Sequence, residues 1–191
     1  MGKHAANQVY VQPPNPPASG FRGTMDSLVH GSLVDLFGAY SVAVAPLPRS
    51  ARLQSPSLPD ISASVGFTRQ STLRSNGRLT LSLSTALLEA MSPANAGHLK
   101  ADWARELANQ LLGRIKNRLL PFNIRLQLGM SALVDSTKLE RQLRGSFDAR
   151  IYTGRTLRGE TVATFEGLPD DSELSYGGYV KTGCEGDTIL F

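Results

Sequence analysis

Apolar residues recur at helical spacing between residues 102 and 120, where Leu107, Leu111 and Ile115 form a stripe widened by Ala104, Ala108, Leu112 and Leu119. That period predicts an amphipathic helix. It ends near Leu120, because Pro121 disfavours helical backbone in the residue before it. At about 100° per residue, Asp102, Glu106, Asn109 and Gly113 share a wedge of roughly 60° on the side away from the leucines. A carboxylate and an amide therefore face outward one turn apart. An exposed Glu beside an Asn is also what ordinary helix solvation looks like. Asn and Gly are nevertheless weak helix formers, and both fall on the face that packing does not need, which is where function is expected to break local rules.

Elsewhere the pattern alternates between periods. Val29, Leu33, Leu36, Phe37 and Tyr40 predict a helix from Met25, with Thr24 or Asp26 available as N-cap. Val42 and Val44 predict a short strand closed by Pro46 and Pro48, followed by a Ser/Pro-rich loop to Asp60. Ile61, Ala63, Val65 and Phe67 alternate with Ser62, Ser64 and Gly66, the signature of a half-buried strand. Asn76-Gly77 predicts a turn, and Leu79, Leu81 and Leu83 alternate after it, so an antiparallel pair is expected. Ser84 is placed to cap a short helix through Leu87, Leu88 and Met91 that Ser92-Pro93 ends. Ile124, Leu126 and Leu128 predict a strand that Gly129 ends. Residues 135–144 read as a polar, basic segment, and residues 147–152 and 160–165 as two further strands around a Gly-containing turn. The expected fold is α+β, a mostly antiparallel sheet with long helices packed on it.

Composition sets the organisation. With 191 residues, 41% hydrophobic and 19% charged, the chain is expected to form one soluble domain with a proper core. Pro13, Pro14, Pro16 and Pro17 mark residues 1–23 as a flexible arm, 24–166 as the domain and 167–191 as an acidic, irregular tail. No stretch is apolar enough to span a membrane and the N-terminus lacks a secretory core, while the single Cys184 fits a reducing compartment, so the cytoplasm is expected. The formal charge of +4 is uneven, since residues 166–191 carry −5 and the rest +9. The arginines between Arg49 and Arg78 are not interleaved with stacking aromatics, and no nucleic-acid-binding motif is present, which argues against a nucleic-acid partner.

Other chemistries lack their parts. His4, His30 and His98 stand at ligand spacing neither from one another nor from Cys184, so no zinc site is expected. His30 reads as a core-edge or surface residue of the first helix. Neither a phosphate-cradling glycine loop nor a Gly-x-Ser-x-Gly elbow occurs.

The spacing Asp102-x3-Glu106-x2-Asn109, followed by Gly113 and Lys116, resembles the bacterial chemotaxis phosphatases CheX and CheC and the related flagellar switch protein FliY. The resemblance runs over residues 25–134 and more loosely beyond. It is greatest to the CheX-like branch, because the first helix carries no second Glu-x2-Asn. It implies a CheX/CheC-like fold and a phosphatase acting on a phosphorylated CheY-like receiver domain. Glu106 would anchor on the receiver, and Asn109 would orient a water for in-line attack on the aspartyl phosphate. Asp102, Gly113 and Lys116 would belong to the partner-facing surface, with a helix-capping role for Asp102 equally open. No cofactor of its own is implied, since the receiver would supply Mg²⁺, and a homodimer is expected from the resemblance alone. One departure stands out: the family signature ends in a proline a little over twenty residues after the Asn, whereas Gly129-Met130-Ser131-Ala132 has none and Ser131 takes its place. A non-catalytic CheX-like binding or scaffolding module is the alternative.

Overall fold

Residues 24–48, 58–70, 75–92, 100–145 and 149–175 are described by the computed structural model of the chain. Six strands form one sheet: β1 (Ala45–Pro46), β2 (Ile61–Gln70), β3 (Ser75–Leu83), β4 (Arg125–Val134), β5 (Arg150–Thr156) and β6 (Gly159–Glu166). Their order is β1-β5-β6-β3-β2-β4, and every neighbouring pair is antiparallel. The helices are α1 (Thr24–Gly38), α2 (Thr85–Met91), α3 (Lys100–Leu119) and α4 (Ser136–Gly145). The expected α+β architecture is the one observed.

Alternation decides what each face of the sheet meets. Ala63 and Val65 of β2 lie opposite Leu81 and Leu79 of β3, which lie opposite Ala163 and Phe165 of β6, and with Phe67 and Leu83 they share the main core with α1, α2 and α3. The apolar stripe of α3 is fully used there, with Leu107, Leu111, Leu112, Ile115 and Leu119 all buried. The other face is rich in hydroxyls. Ser62 and Ser82 bond through their Oγ atoms at 2.7 Å, and Ser62 also meets Ser136 Oγ of α4 at 3.0 Å. Beside them a smaller apolar cluster joins Leu58, Leu139, Leu143, Ala149, Ile151 and Val162.

Several local expectations are corrected. Asn76-Gly77 is no turn: Asn76 pairs with Thr68 and Gly77 with Phe67 inside the ladder, so the connection falls at residues 71–74, outside the described residues. Gly77 is glycine because a Cβ there would lie 2.2 Å from the Phe67 ring and 2.6 Å from the Glu166 carbonyl. The strand after α3 does not end at Gly129 but runs on to Val134. The basic segment after it is α4, capped by Asp135, whose Oδ1 accepts from the Lys138 N–H at 3.0 Å. The strand expected at Val42 and Val44 forms instead at Ala45–Pro46, while those two valines pack partly buried against the core. The later strands begin at Arg150 and Gly159, with Gly159 at φ +123° closing their two-residue turn.

The start of α1 is held from the far end of the chain. Neither Thr24 nor Asp26 serves as its cap. Thr24 is already helical, and the buried Asp26 accepts the Tyr152 hydroxyl at 2.9 Å. The Met25 N–H instead donates to Asp171 Oδ1 at 2.9 Å. Residues 170–173 form a 3-10 turn with a capping box, pinned by Arg69 to Glu173 at 2.9 Å and by the Arg150 to Asp170 ion pair. His30 is buried, its Nε2 donating to the Leu47 carbonyl at 2.9 Å and its ring edge-on to Tyr152. His4, His98, Cys184, the Pro-rich arm and residues 176–191 lie outside the described residues.

Candidate functional site

The polar face of α3 follows from its sequence. Burying the leucine stripe against β2, β3 and β4 turns Asp102 and Glu106 to solvent and leaves Asn109, Gly113 and Lys116 half-buried along the margin. Asp102 does not stand alone, because it forms an ion pair with Arg105 three residues on. At Gly113 an added Cβ would meet nothing within 4 Å. The clearance read from the sequence one turn beyond Asn109 is therefore real space.

Glu106 and Asn109 are each tied to a different part of the fold. The Gln110 side-chain amide donates to Glu106 Oε1 at 3.0 Å, and the Tyr40 hydroxyl donates to Gln110 Oε1 at 2.8 Å. Tyr40 in turn stands edge-on to Trp103, with centroids 5.6 Å apart. This relay links the end of α1 to the Glu106 carboxylate through a fixed amide. Neither Gln110 nor Tyr40 is singled out by the sequence. The Glu106-x3-Gln110 spacing is a usable signal for the first contact, since residues four apart on a helix touch. Nothing local to Tyr40, 70 residues away from Gln110, signals the second.

Asn109 Nδ2 donates to Ser131 Oγ of β4 at 3.2 Å. A β-bulge makes this contact. Val65 pairs with Ser131 while Phe67 pairs with Leu128, so Gly129 and Met130 together oppose Gly66. The extra residue keeps Leu126, Leu128, Ser131 and Leu133 on the helix side although the spacing changes from two to three. Met130 is turned out and left 93% exposed. The approach is close at Gly129, where an added Cβ would sit 3.2 Å from the Gly66 carbonyl. The break in alternation at Gly129 is this bulge and not a strand end.

The arrangement offers a carboxylate and a neutral amide on one helix face. An open depression lined by Gly66, Thr68, Asn76, Gln127 and Gly129 holds none of the α3 residues. Among the described residues no three His, Cys, Asp or Glu side chains gather as metal ligands, and no helix is long and apolar enough to cross a membrane.

No protein-family model matches the chain, and neither does any curated protein. Solved structures do. A CheC-like superfamily protein from Shewanella sp. PV-4 superposes with a TM-score of 0.58 at 16% identity, over 75% of this chain and 97% of that one. The chemotaxis protein CheX from Vibrio vulnificus gives 0.58 at 13% identity, over 74% and 97%. CheX from Borrelia burgdorferi, solved as a complex with CheY, BeF3 and Mg²⁺, gives 0.55 at 10% identity, over 75% and 97%. The chain thus has the α+β fold of the CheC/CheX chemotaxis proteins. That fold is the one the resemblance implies.

Proposed function

We propose that the protein is a phosphatase acting on a phosphorylated CheY-like receiver domain. The observation that carries this reading is the face of α3, where the exposed Glu106 carboxylate stands one turn from the Asn109 amide with open space at Gly113 beyond it. The fold adds support, being shared with a CheX protein solved in complex with CheY.

The chemistry suits these groups. An aspartyl phosphate is already activated, and phosphoryl transfer asks mainly for placement and charge stabilisation. Asn109 Oδ1 accepts a hydrogen bond from a water and holds it in line with the phosphorus. The water oxygen forms the new P–O bond, the bond to the aspartyl oxygen breaks, and the receiver's carboxylate leaves with its electron pair. The water's proton passes to solvent, and inorganic phosphate is released. Glu106 anchors the complex by pairing with a cation on the receiver. The divalent ion that balances the phosphoryl charge belongs to the receiver.

The test is loss of phosphate from receivers of the same organism, phosphorylated with acetyl phosphate. Asn109→Ala is expected to lower kcat by roughly 100-fold with little change in binding. Glu106→Ala is expected to raise KM by roughly tenfold or more. Turnover untouched by Asn109→Ala contradicts the reading. A receiver-binding module without turnover is the second reading, favoured by the segment 129–132, where the proline of the resembled signature is missing and Met130 stands out in the bulge. Binding of beryllofluoride-activated receiver with no phosphate loss would select it.

A further inference from the structure

The geometry points to Ser131 as a positioning residue for Asn109, an inference that rests on the phosphatase reading and deepens it. A terminal carboxamide turns about a broad, nearly two-fold torsion, so an unrestrained Asn presents its oxygen or its nitrogen outward with little preference. Only the oxygen accepts from a water. The 3.2 Å bond from Nδ2 to Ser131 Oγ engages one of the two amide hydrogens on the strand side and leaves Oδ1 unengaged by that contact and able to accept. Ser131 has this reach only because the bulge at Gly129-Met130 keeps its side chain on the helix side, opposite Val65. The half-buried setting of both residues shields the bond from competing water. Ser131 touches neither water nor phosphate in this assignment, and it acts through the orientation of the amide.

The orientation affects turnover, not docking, and this separates it from a structural role. Wild type, Ser131→Ala, Ser131→Cys, Ser131→Thr and Asn109→Ala are compared on one acetyl-phosphate-labelled receiver, with kcat and KM measured separately and thermal unfolding recorded for each. Ser131→Ala is expected to lower kcat about three- to tenfold, the range of a single hydrogen bond, with KM unchanged within about twofold. Ser131→Cys keeps the volume with a poor acceptor and behaves like the alanine variant. Ser131→Thr restores the hydroxyl and the rate. A kcat that is unchanged or raised in Ser131→Ala and Ser131→Cys, or a Thr variant as slow as they are, overturns the role of Ser131 while Asn109→Ala still abolishes turnover. If wild type itself shows no turnover, or Asn109→Ala leaves it intact, the phosphatase reading fails and this inference fails with it.

Discussion

Single residues decide several features that look generic in the sequence. Gly113 lies inside a helix that would be more stable with alanine, and none of the described residues comes within 4 Å of the Cβ it lacks. Gly113→Ala is therefore expected to raise unfolding stability by about 0.5–1 kcal/mol in chemical denaturation, from propensity alone. Under the proposed function it also weakens receiver turnover; a variant both more stable and fully active would show that the clearance serves no partner. Gly77 is the opposite case. Its absent side chain makes room for the Phe67 ring and the Glu166 carbonyl, so Gly77→Ala is expected to destabilise by about 1–3 kcal/mol. If stability is unchanged, the packing account of this glycine is wrong. Local statistics read Asn76-Gly77 as a turn because they weigh only neighbours in sequence. The Phe67 ring that requires the glycine is brought there by strand register.

At the scale of elements, strong periods were readable and narrow ones were not. α3 repeats its apolar stripe from Ala104 to Leu119, over about four turns, and the alternation in β2 and β3 is regular, so their type and pairing follow from the sequence. Among its described side chains α4 buries Leu139 and Leu143, one pair four residues apart in a strongly polar run. Its remaining signal is Asp135, which precedes the helix as a cap. The same carboxylate makes α4 sensitive to acid. The Lys138 N–H holds the Asp135 carboxyl below the usual carboxylate range, so its contribution is present above the pKa of the unfolded chain and lost as pH falls through the folded value. Glu173 behaves likewise, its carboxyl lowered first by Arg69 and then by the Asp170 N–H. Amide exchange measured from pH 6 to 3 is expected to show α4 and residues 170–173 losing protection on acidification before α3 does. Uniform loss of protection would contradict these local causes. β4 hid its second half for a different reason, since the bulge shifts the alternation at Gly129 and resembles a strand end.

Across the whole molecule, the sheet and α1 act as a platform that fixes two side chains on α3 from opposite sides. Tyr40, just past the end of α1, holds Gln110 of α3, whose amide donates to Glu106, and Ser131 reaches Asn109 from the edge strand. The acid and the amide were legible in the sequence because they share one helix. Their supports were not, because they come from residues 40 and 131 and meet α3 only after the sheet has formed. The claim that depends most on this arrangement is that α3 enters the phosphorylated site of a receiver. The most direct measurement is a crystal structure of the full chain with a beryllofluoride-activated CheY-like receiver. The account predicts Asn109 Oδ1 within about 3 Å of a water in line with the beryllium and Glu106 against a receiver cation. A receiver bound elsewhere, with the α3 face left open to solvent, would contradict it.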